Sequence, residues 1–169
     1  VRYDNDWDGG GTAGVTVNLA TGTATDGFGN TDTLSGIEEV RATRYADNLT
    51  GDGNNNVFYG LAGNDTINGG GGSDWVSYGR DIFNRMESQT LSAVTVNLAT
   101  GTATDGYGNT DTLTSIENAA GGLLADTLTG DGNANRFRGF AGNDTFNGGG
   151  GIDVADYSED AHAGAVTFL

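Results

Sequence analysis

Residues Ala42–Ser77, read in groups of nine, are ATRYADNLT, GDGNNNVFY, GLAGNDTIN and GGGGSDWVS. The sixth position of each group carries Asp or Asn, and the eighth carries an apolar residue. The sixth-position residues are Asp47, Asn56, Asp65 and Asp74, and the eighth-position residues are Leu49, Phe58, Ile67 and Val76. Small residues, mainly glycine and asparagine, fill most of the first four positions. A disordered linker has no need of such a register, so the pattern predicts a repeating fold.

The nine-residue spacing has a physical explanation in a coil of turns and short strands. We expect each nine-residue unit to form a glycine-rich turn followed by a strand of about three residues, and two units to complete one coil. Residues eighteen apart then stack about 4.8 Å from each other, which pairs Asp47 with Asp65 and Asn56 with Asp74. Calcium takes about six to eight oxygen ligands from carboxylates and backbone carbonyls. Because glycine can adopt the positive φ that aims a carbonyl inward, the sequence predicts calcium sites between stacked turns.

The same block recurs at Gly121–Asp156 as GGLLADTLT, GDGNANRFR, GFAGNDTFN and GGGGIDVAD. Its predicted pairs are Asp126 with Asp144 and Asn135 with Asp153. Asn replaces Asp in the second unit of both blocks, so we expect the Asp–Asp pairs to bind calcium more tightly. The full set of predicted metal ligands is Asp47, Asn56, Asp65, Asp74, Asp126, Asn135, Asp144 and Asp153, with Asp32 and Asp111 from degenerate units and carbonyls of Gly60, Ala62, Gly69, Gly71, Gly139, Ala141, Gly148 and Gly150.

The blocks belong to a longer repeat, because Val15–Tyr78 aligns with Val94–Tyr157 at a constant offset of 79 residues, with 44 of 64 positions identical. Both copies contain VTVNLATGTATDG(F/Y)GNTDTL, whose Gly27–Ser35 portion is a degenerate nonapeptide with Asp32 at position six. We divide the chain into a tail and linker at 1–14, a first module at 15–78, a connector at 79–93 that could hold a short helix, a second module at 94–157, and a connector with the start of a third repeat at 158–169. We expect a slice of a longer tandem array.

Composition supports a calcium-dependent structure. The chain of 169 residues has a net charge of −16, 31 glycines and no cysteine. Such a charge argues against nucleic-acid partners and anionic membranes, and no apolar run reaches the ~20 residues of a membrane span. One inward residue in nine buries little apolar surface. We therefore expect the metal to supply much of the stability, at about two ions or more per module, by relieving self-repulsion.

The nonapeptides resemble those of the RTX family, the hemolysin-type calcium-binding repeats of large secreted bacterial proteins. Repeats of this family form a calcium-binding parallel β-helix, so the resemblance implies an all-β fold: a right-handed parallel β-roll, or β-solenoid, of two tandem modules. It also implies a type I secretion machinery as partner, a secreted or cell-surface bacterial location, and folding at extracellular calcium concentrations.

The resemblance leaves the role in the parent protein open. One hypothesis is a structural or extension segment of an adhesin or other surface protein. A second is an accessory module of a secreted epimerase-, protease- or lipase-type enzyme, and a third is calcium-dependent binding of a glycan or of ice. We expect no catalytic activity, because His162 is the single histidine and no nucleophile motif accompanies it.

Overall fold

Short strands make up all the regular structure of the computed structural model, which describes residues 1–6, 9–79 and 92–158. Sixteen strands lie in these residues, and no helix does. In the first copy they are β1 (Thr16–Asn18), β2 (Thr23–Thr25), β3 (Thr31–Thr33), β4 (Glu39–Arg41), β5 (Asn48–Thr50), β6 (Val57–Tyr59), β7 (Thr66–Asn68) and β8 (Trp75–Ser77). In the second copy they are β9 (Thr95–Asn97), β10 (Thr102–Thr104), β11 (Thr110–Thr114), β12 (Asn118–Ala120), β13 (Thr127–Thr129), β14 (Arg136–Arg138), β15 (Thr145–Asn147) and β16 (Val154–Ala155).

Strands eighteen residues apart pair in parallel, as the nine-residue register predicts. Leu49 of β5 is opposite Ile67 of β7 in one sheet, and Phe58 of β6 is opposite Val76 of β8 in the other. The chain thus alternates between two sheets, one of ten strands and one of six. This is the parallel β-roll that the sequence predicts.

The first three strands of each copy belong to the ten-stranded sheet. In the first copy β1, β2 and β3 form an antiparallel meander, in which Val17 faces Ala24 and Ala24 faces Asp32. The second copy repeats this arrangement in β9, β10 and β11. The degenerate unit Gly27–Ser35 therefore supplies a strand, β3, but its neighbour β2 runs against the direction of the coil.

The two copies share one continuous ladder. Strand β11 pairs in parallel with β7, and β12 pairs in parallel with β8, so the second copy begins directly on the last coil of the first. Beyond the meander, β9 pairs in parallel with β13. The two repeats are consequently segments of a single solenoid rather than separate folding units joined by a linker.

The N-terminal residues take the place that Val76–Tyr78 takes for the second copy. Arg2 bridges in parallel to Arg41 of β4, and the Tyr3 hydroxyl donates a hydrogen bond of 3.0 Å to Asp32 Oδ2. In the second copy the Tyr78 hydroxyl donates to Asp111 Oδ2 at 2.8 Å. The same tyrosine–aspartate contact thus precedes both meanders, which agrees with the sequence match between Val1–Tyr3 and Val76–Tyr78.

The core is a single column of inward side chains between the two sheets. All eighth-position residues of the first block are fully buried, and so are Val40, Ala119 and Leu128. The column opens at the end of the second block, where Phe146 is only partly buried and Ala155 is exposed. The weak apolar residue at position 155 therefore closes the coil poorly, as its size predicts.

The outward face of the ten-stranded sheet is lined with threonine and asparagine. A single column of directly paired residues crosses all ten strands: Asn147, Thr129, Asn97, Thr102, Thr112, Thr66, Asn48, Thr16, Thr25 and Thr31. Threonine favours strands because its branched side chain suits the pleated surface. The threonine–asparagine column therefore extends across both copies.

Two of the sequence-based predictions concern residues that the structure does not describe. The short helix proposed within 79–93 and the histidine at position 162 lie outside the described residues. Among the residues that the structure does describe, no helix is long and apolar enough to cross a bilayer.

Candidate calcium centre

The sixth-position side chains stack in two rows, one on each side of the solenoid. In the first row Asp65 Oδ1 accepts a hydrogen bond of 2.9 Å from the Asp47 backbone N–H, and Asp111 Oδ1 accepts one of 2.9 Å from the Asp65 N–H. The second block repeats this contact between Asp144 Oδ1 and the Asp126 N–H at 3.0 Å. Each carboxylate therefore ties its own coil to the coil that precedes it in the stack.

The second row follows the same rule on the other side. Asp74 Oδ1 accepts from the Asn56 N–H at 2.7 Å, and Asp153 Oδ1 accepts from the Asn135 N–H at 2.9 Å. Between these two pairs lies Glu117, whose Oε2 accepts from the Asp74 N–H at 2.8 Å. The structure thus brings together all four residue pairs that the eighteen-residue spacing predicts.

Glu117 is not among the predicted ligands, although the sequence carries a signal for it. Each sixth-position acid comes directly before a strand, as Asp65 does before β7. Glu117 stands in the same place before β12. Residues 115–120 lie directly before the second block and break the nine-residue count. This break conceals the equivalence of Glu117. Asn118 is opposite Trp75 just as Trp75 is opposite Val57, so Glu117 makes the same contact in the same strand register.

Two carboxylates in these rows keep a buried oxygen for which the described residues provide no hydrogen-bond donor. These oxygens are Asp65 Oδ2 and Asp74 Oδ2. Both residues are almost completely buried, with 1% and 0% of their surface exposed. A buried carboxylate oxygen without a partner is costly, whereas a bound cation would satisfy it. The pattern of oxygen donors without nitrogen or sulfur suits calcium, a hard cation.

The first-position glycines leave the space that these oxygens occupy. A Cβ placed on Gly60 would overlap Asp65 Oδ2, and one placed on Gly69 would overlap Asp74 Oδ2. The same relation holds in the second block between Gly139 and Asp144 and between Gly148 and Asp153. In these four units the position of the sixth-position carboxylate therefore requires glycine at position one, whereas the unit of Asp47 has Ala42 there. The sequence alone shows the two residue types but not their contact.

Other glycines allow one turn to lie directly on the next. Gly63 has φ 125°, and a Cβ there would overlap the carbonyl oxygen of Tyr45, eighteen residues earlier. The residues whose backbone carbonyls are predicted to bind calcium lie in these stacked turns. Gly71 N–H donates to the Asp52 carbonyl at 2.8 Å, and the Gly69 carbonyl oxygen faces the Cα of Gly51. A Cβ on Gly51 would meet both this oxygen and Asn56 Oδ1, so a backbone oxygen of one turn lies beside a sixth-position side chain of another.

The first carboxylate of each block has a different environment. Asp47 accepts hydrogen bonds from the Val15 N–H at 2.6 Å and from both the N–H and hydroxyl of Thr43 at 2.8 Å. Asp126 accepts from the N–H groups of Val94 and Gly122. These two side chains anchor the start of their block, so within each Asp–Asp pair the later residue, Asp65 or Asp144, is the better placed to hold an ion.

Two predicted ligands of the degenerate units have protein partners of their own. Asp111 uses Oδ1 for the Asp65 N–H and Oδ2 for the Tyr78 hydroxyl. Asp32 accepts from the Tyr3 hydroxyl through Oδ2. The half-buried turn residue Asp52 likewise accepts from both the backbone and the side-chain amide of Asn54. Their hydrogen bonds give these carboxylates a clear structural role.

Burial and mutual repulsion raise the pKa of acids in both rows. Burial, followed by the charges of Asp47, Asp111 and Asp105, raises the pKa of Asp65 to about 9. Burial also raises the pKa of Asp47, Asp74 and Asp111 to about 6 in each case. In the absence of a cation, these groups therefore resist ionisation. A divalent ion would supply the opposite charge that favours the carboxylate form.

An ion at this centre would need backbone carbonyls in addition to carboxylates. Within the described residues, no three side chains of Asp, Glu, His or Cys converge on a point where they could hold a metal together. An ion between two turns would thus take one or two carboxylates and complete its shell with backbone carbonyls, as calcium readily does.

Comparison with known families identifies both blocks. Residues 41–76 and 121–155 match the family described as the RTX calcium-binding nonapeptide repeat (4 copies). The match covers the two blocks and leaves out the meanders. A comparison with curated proteins gives no significant match.

Proposed function

We propose that this chain, which carries RTX calcium-binding repeats in two blocks, folds when it binds extracellular calcium and serves as a structural or extension segment of a secreted bacterial protein. The observation that carries the proposal is the two rows of buried carboxylates, in which Asp65 Oδ2 and Asp74 Oδ2 have no hydrogen-bond partner among the described residues. These oxygens are unfavourable in the metal-free fold, and an ion that binds only the folded chain shifts the equilibrium toward it.

The proposed location outside the cell follows from calcium concentration. Extracellular calcium modules bind with dissociation constants of roughly 10⁻⁴–10⁻³ M. At such affinities the cytosol would leave the sites empty, and a chain with net charge −16 would repel itself. An unfolded chain could then pass a type I secretion channel and fold on the far side.

The extension role is supported by the continuous ladder. Because β11 pairs directly with β7, consecutive copies prolong one solenoid along its axis instead of forming a string of beads. Each added copy would lengthen a stiff rod, which suits a surface protein that must hold another domain away from the cell. An accessory module of a secreted enzyme would use the same fold, and a catalytic domain in the parent chain would distinguish it.

A calcium titration followed by far-UV circular dichroism tests the proposal. We expect a cooperative coil-to-β transition near millimolar calcium and none with magnesium at the same concentration. The double variant Asp65→Ala plus Asp144→Ala should lose the transition. Thr66→Ala plus Thr145→Ala changes the exposed neighbours one residue along and should keep it. A chain that is equally β-structured in chelator would overturn the proposal.

A second candidate function is calcium-dependent binding of ice or a glycan surface, favoured by the threonine–asparagine column across ten strands. The column is uncharged and regularly spaced by the sheet. An ice-shaping assay and a glycan array, each with calcium and with chelator, would test it. Thr66→Lys plus Thr112→Lys, which interrupts the column at neighbouring strands, should abolish any activity found. A negative result in both assays would reject this function.

A further inference from the structure

The chain contains two Asn-Gly dipeptides, Asn68-Gly69 and Asn147-Gly148, which occupy the same position in the two blocks. This dipeptide is reactive because the backbone nitrogen of the glycine can attack the side-chain amide carbon of the asparagine. A residue with a Cβ in second place hinders that attack, whereas glycine has none. Each asparagine is the last residue of a strand, β7 or β15, and each glycine follows it.

In the first copy, hydrogen bonds hold this peptide group from both sides. The Asn68 carbonyl accepts a hydrogen bond of 2.8 Å from the Gly51 N–H. On the other side, the Gly69 N–H donates one of 2.9 Å to the Thr114 carbonyl in β11. The side chain is also fixed, since Asn68 Oδ1 accepts from the Gly70 N–H at 3.1 Å. A strand of the second copy thus holds the nitrogen that would have to attack.

In the second copy the same peptide group is held from one side only. The Asn147 carbonyl accepts a hydrogen bond of 2.8 Å from the Gly130 N–H. Among the described residues, neither the Gly148 N–H nor the Asn147 side chain has a hydrogen-bond partner. Strand β15 is an edge of the ten-stranded sheet in this part of the chain, and the N–H groups of an edge strand lack a ladder partner on the outer side.

The exposure of the two dipeptides differs in the same direction. Asn147 is exposed and Gly148 is half-buried, whereas Asn68 is half-buried and Gly69 is buried. Solvent access matters because the glycine N–H must lose its proton during the attack, and because water completes the reaction. An N–H group in a strand ladder must first leave its hydrogen bond by local opening. The fold therefore protects the first dipeptide and leaves the second accessible.

We propose that Asn147 is a site of spontaneous deamidation, and that the pairing of β11 with β7 protects Asn68 from the same reaction. The Gly148 nitrogen forms a bond to Asn147 Cγ and loses its proton, the Cγ–Nδ2 bond breaks, and ammonia leaves. Water then opens the cyclic imide at one of its two carbonyls. Opening at Cγ gives aspartate, and opening at the main-chain carbonyl gives isoaspartate, in which the main chain runs through Cγ.

The reaction changes both the charge and the main-chain path at the edge of the sheet. Both products place a carboxylate at the end of the threonine–asparagine column. Isoaspartate also adds one methylene group to the main chain directly before Gly148. A Cβ on Gly148 would overlap Asp153 Oδ2, so the added length falls in a closely packed turn. We expect isoaspartate to loosen the last turn of the second block.

Peptide mapping by mass spectrometry after incubation of the full chain tests the proposal. Trypsin separates the two sites, because cleavage after Arg44 and Arg80 releases residues 45–80 and cleavage after Arg138 releases residues 139–169. At mildly alkaline pH with saturating calcium, Asn147 should deamidate roughly tenfold or more faster than Asn68, because two further hydrogen bonds must break at Asn68. Equal rates, or a faster reaction at Asn68, would overturn the proposal.

Incubation in urea with chelator controls for the local sequence. Both asparagines follow a threonine and an apolar residue, and both precede four glycines. The unfolded chain should therefore deamidate at similar rates at the two sites. If Asn147 kept its advantage in urea, the difference would come from the local sequence and the proposal would be rejected. The comparison concerns the folded chain and does not depend on how many ions it binds.

Amide hydrogen exchange and one substitution test the protecting contact and the assignment. The Gly148 N–H should exchange faster than the Gly69 N–H, which is held in the ladder. Slow exchange at Gly148 would show that another part of the chain covers it and would contradict the proposal. Asn147→Gln keeps the amide but requires a larger, less readily formed ring. It should abolish the mass change in residues 139–169, and a change that persists would place the reaction at another residue.

Discussion

The two copies share most of their sequence, yet their blocks have different surroundings. The first block is enclosed, with one meander paired to β5 and the next paired to β7. The second block is paired at its start with β9 and ends at β15 and β16, the edges of their sheets among the described residues. Asp65 is 1% exposed, whereas its equivalent Asp144 is partly exposed. Neighbouring coils, rather than the repeat itself, thus determine how deeply each site is buried.

This difference matters for the energetics of an ion site. A carboxylate buried among like charges is strongly destabilising without a cation and correspondingly favourable with one, while a solvated carboxylate changes less. The interior sites should therefore couple calcium to folding more strongly than those at the end of the second block.

The largest expected effect is the pH dependence of the metal-free chain. The folded state raises the pKa of Asp65 from an ordinary value of 3.8 to about 9, so the folded chain holds a proton that the unfolded chain loses. Stability without metal should then fall as pH rises from about 4 toward 9. Far-UV circular dichroism in metal-free buffer should show more β structure at pH 5 than at pH 8.

The two copies sharpen this pH test. At pH 8 without metal, Asp65→Asn should restore more β structure than Asp144→Asn, because the change at the interior site removes the larger repulsion. A dilution series excludes aggregation near the isoelectric point, about 4.1. Equal recovery by the two variants, or greater stability at pH 8, would contradict the burial difference.

The next prediction compares the stability lost when a core residue is truncated at the same position of the two copies. Ile67 is fully buried, and its counterpart Phe146 is partly buried. With saturating calcium, Ile67→Ala should lower the free energy of unfolding by roughly 2–5 kcal/mol. Phe146→Ala should lower it by about 1–2 kcal/mol despite the larger side chain, because less of its surface leaves water on folding. Urea unfolding measures both, and a greater loss for Phe146→Ala would show that the end of the solenoid is closed in solution.

The smallest effect compares the ion pairs at the two ends. Asp4 accepts from Arg41 at 3.2 Å, with both side chains buried. Asp156 accepts from Arg138 at 2.9 Å, and that arginine is 27% exposed. Asp4→Asn should lower the free energy of unfolding by about 3 kcal/mol, and Asp156→Asn by about 1 kcal/mol or less. Thermal unfolding at low and high salt checks the order, and only the Asp156 pair should weaken with salt.

The sequence predicts the repeat fold because its period is a backbone property. An apolar residue in every ninth position and an acid two residues before it fix which residues face inward and which coils stack. The pairings of Asp47 with Asp65 and of Leu49 with Ile67 follow from counting eighteen. Glycine at position one follows the same logic, although only the structure shows that the carboxylate oxygen occupies the missing Cβ.

Counting fails where the register breaks. Glu117 enters the second row after an insertion, and β2 reverses direction, so neither is visible from the nine-residue period. The contact of Asp65 with Asp111 depends on strands that pair across the two copies, because the pairing of β11 with β7 brings the second meander onto the first block.

The sequence by itself therefore determined the coil, its inward column and its oxygen-rich turns, because these depend on local spacing. The tertiary structure decided which carboxylates are enclosed, how one copy continues into the next, and which oxygens at the junction remain without a partner. Burial and repulsion are properties of the neighbours that a residue acquires on folding. Equivalent residues such as Asp65 and Asp144 thus acquire different burial.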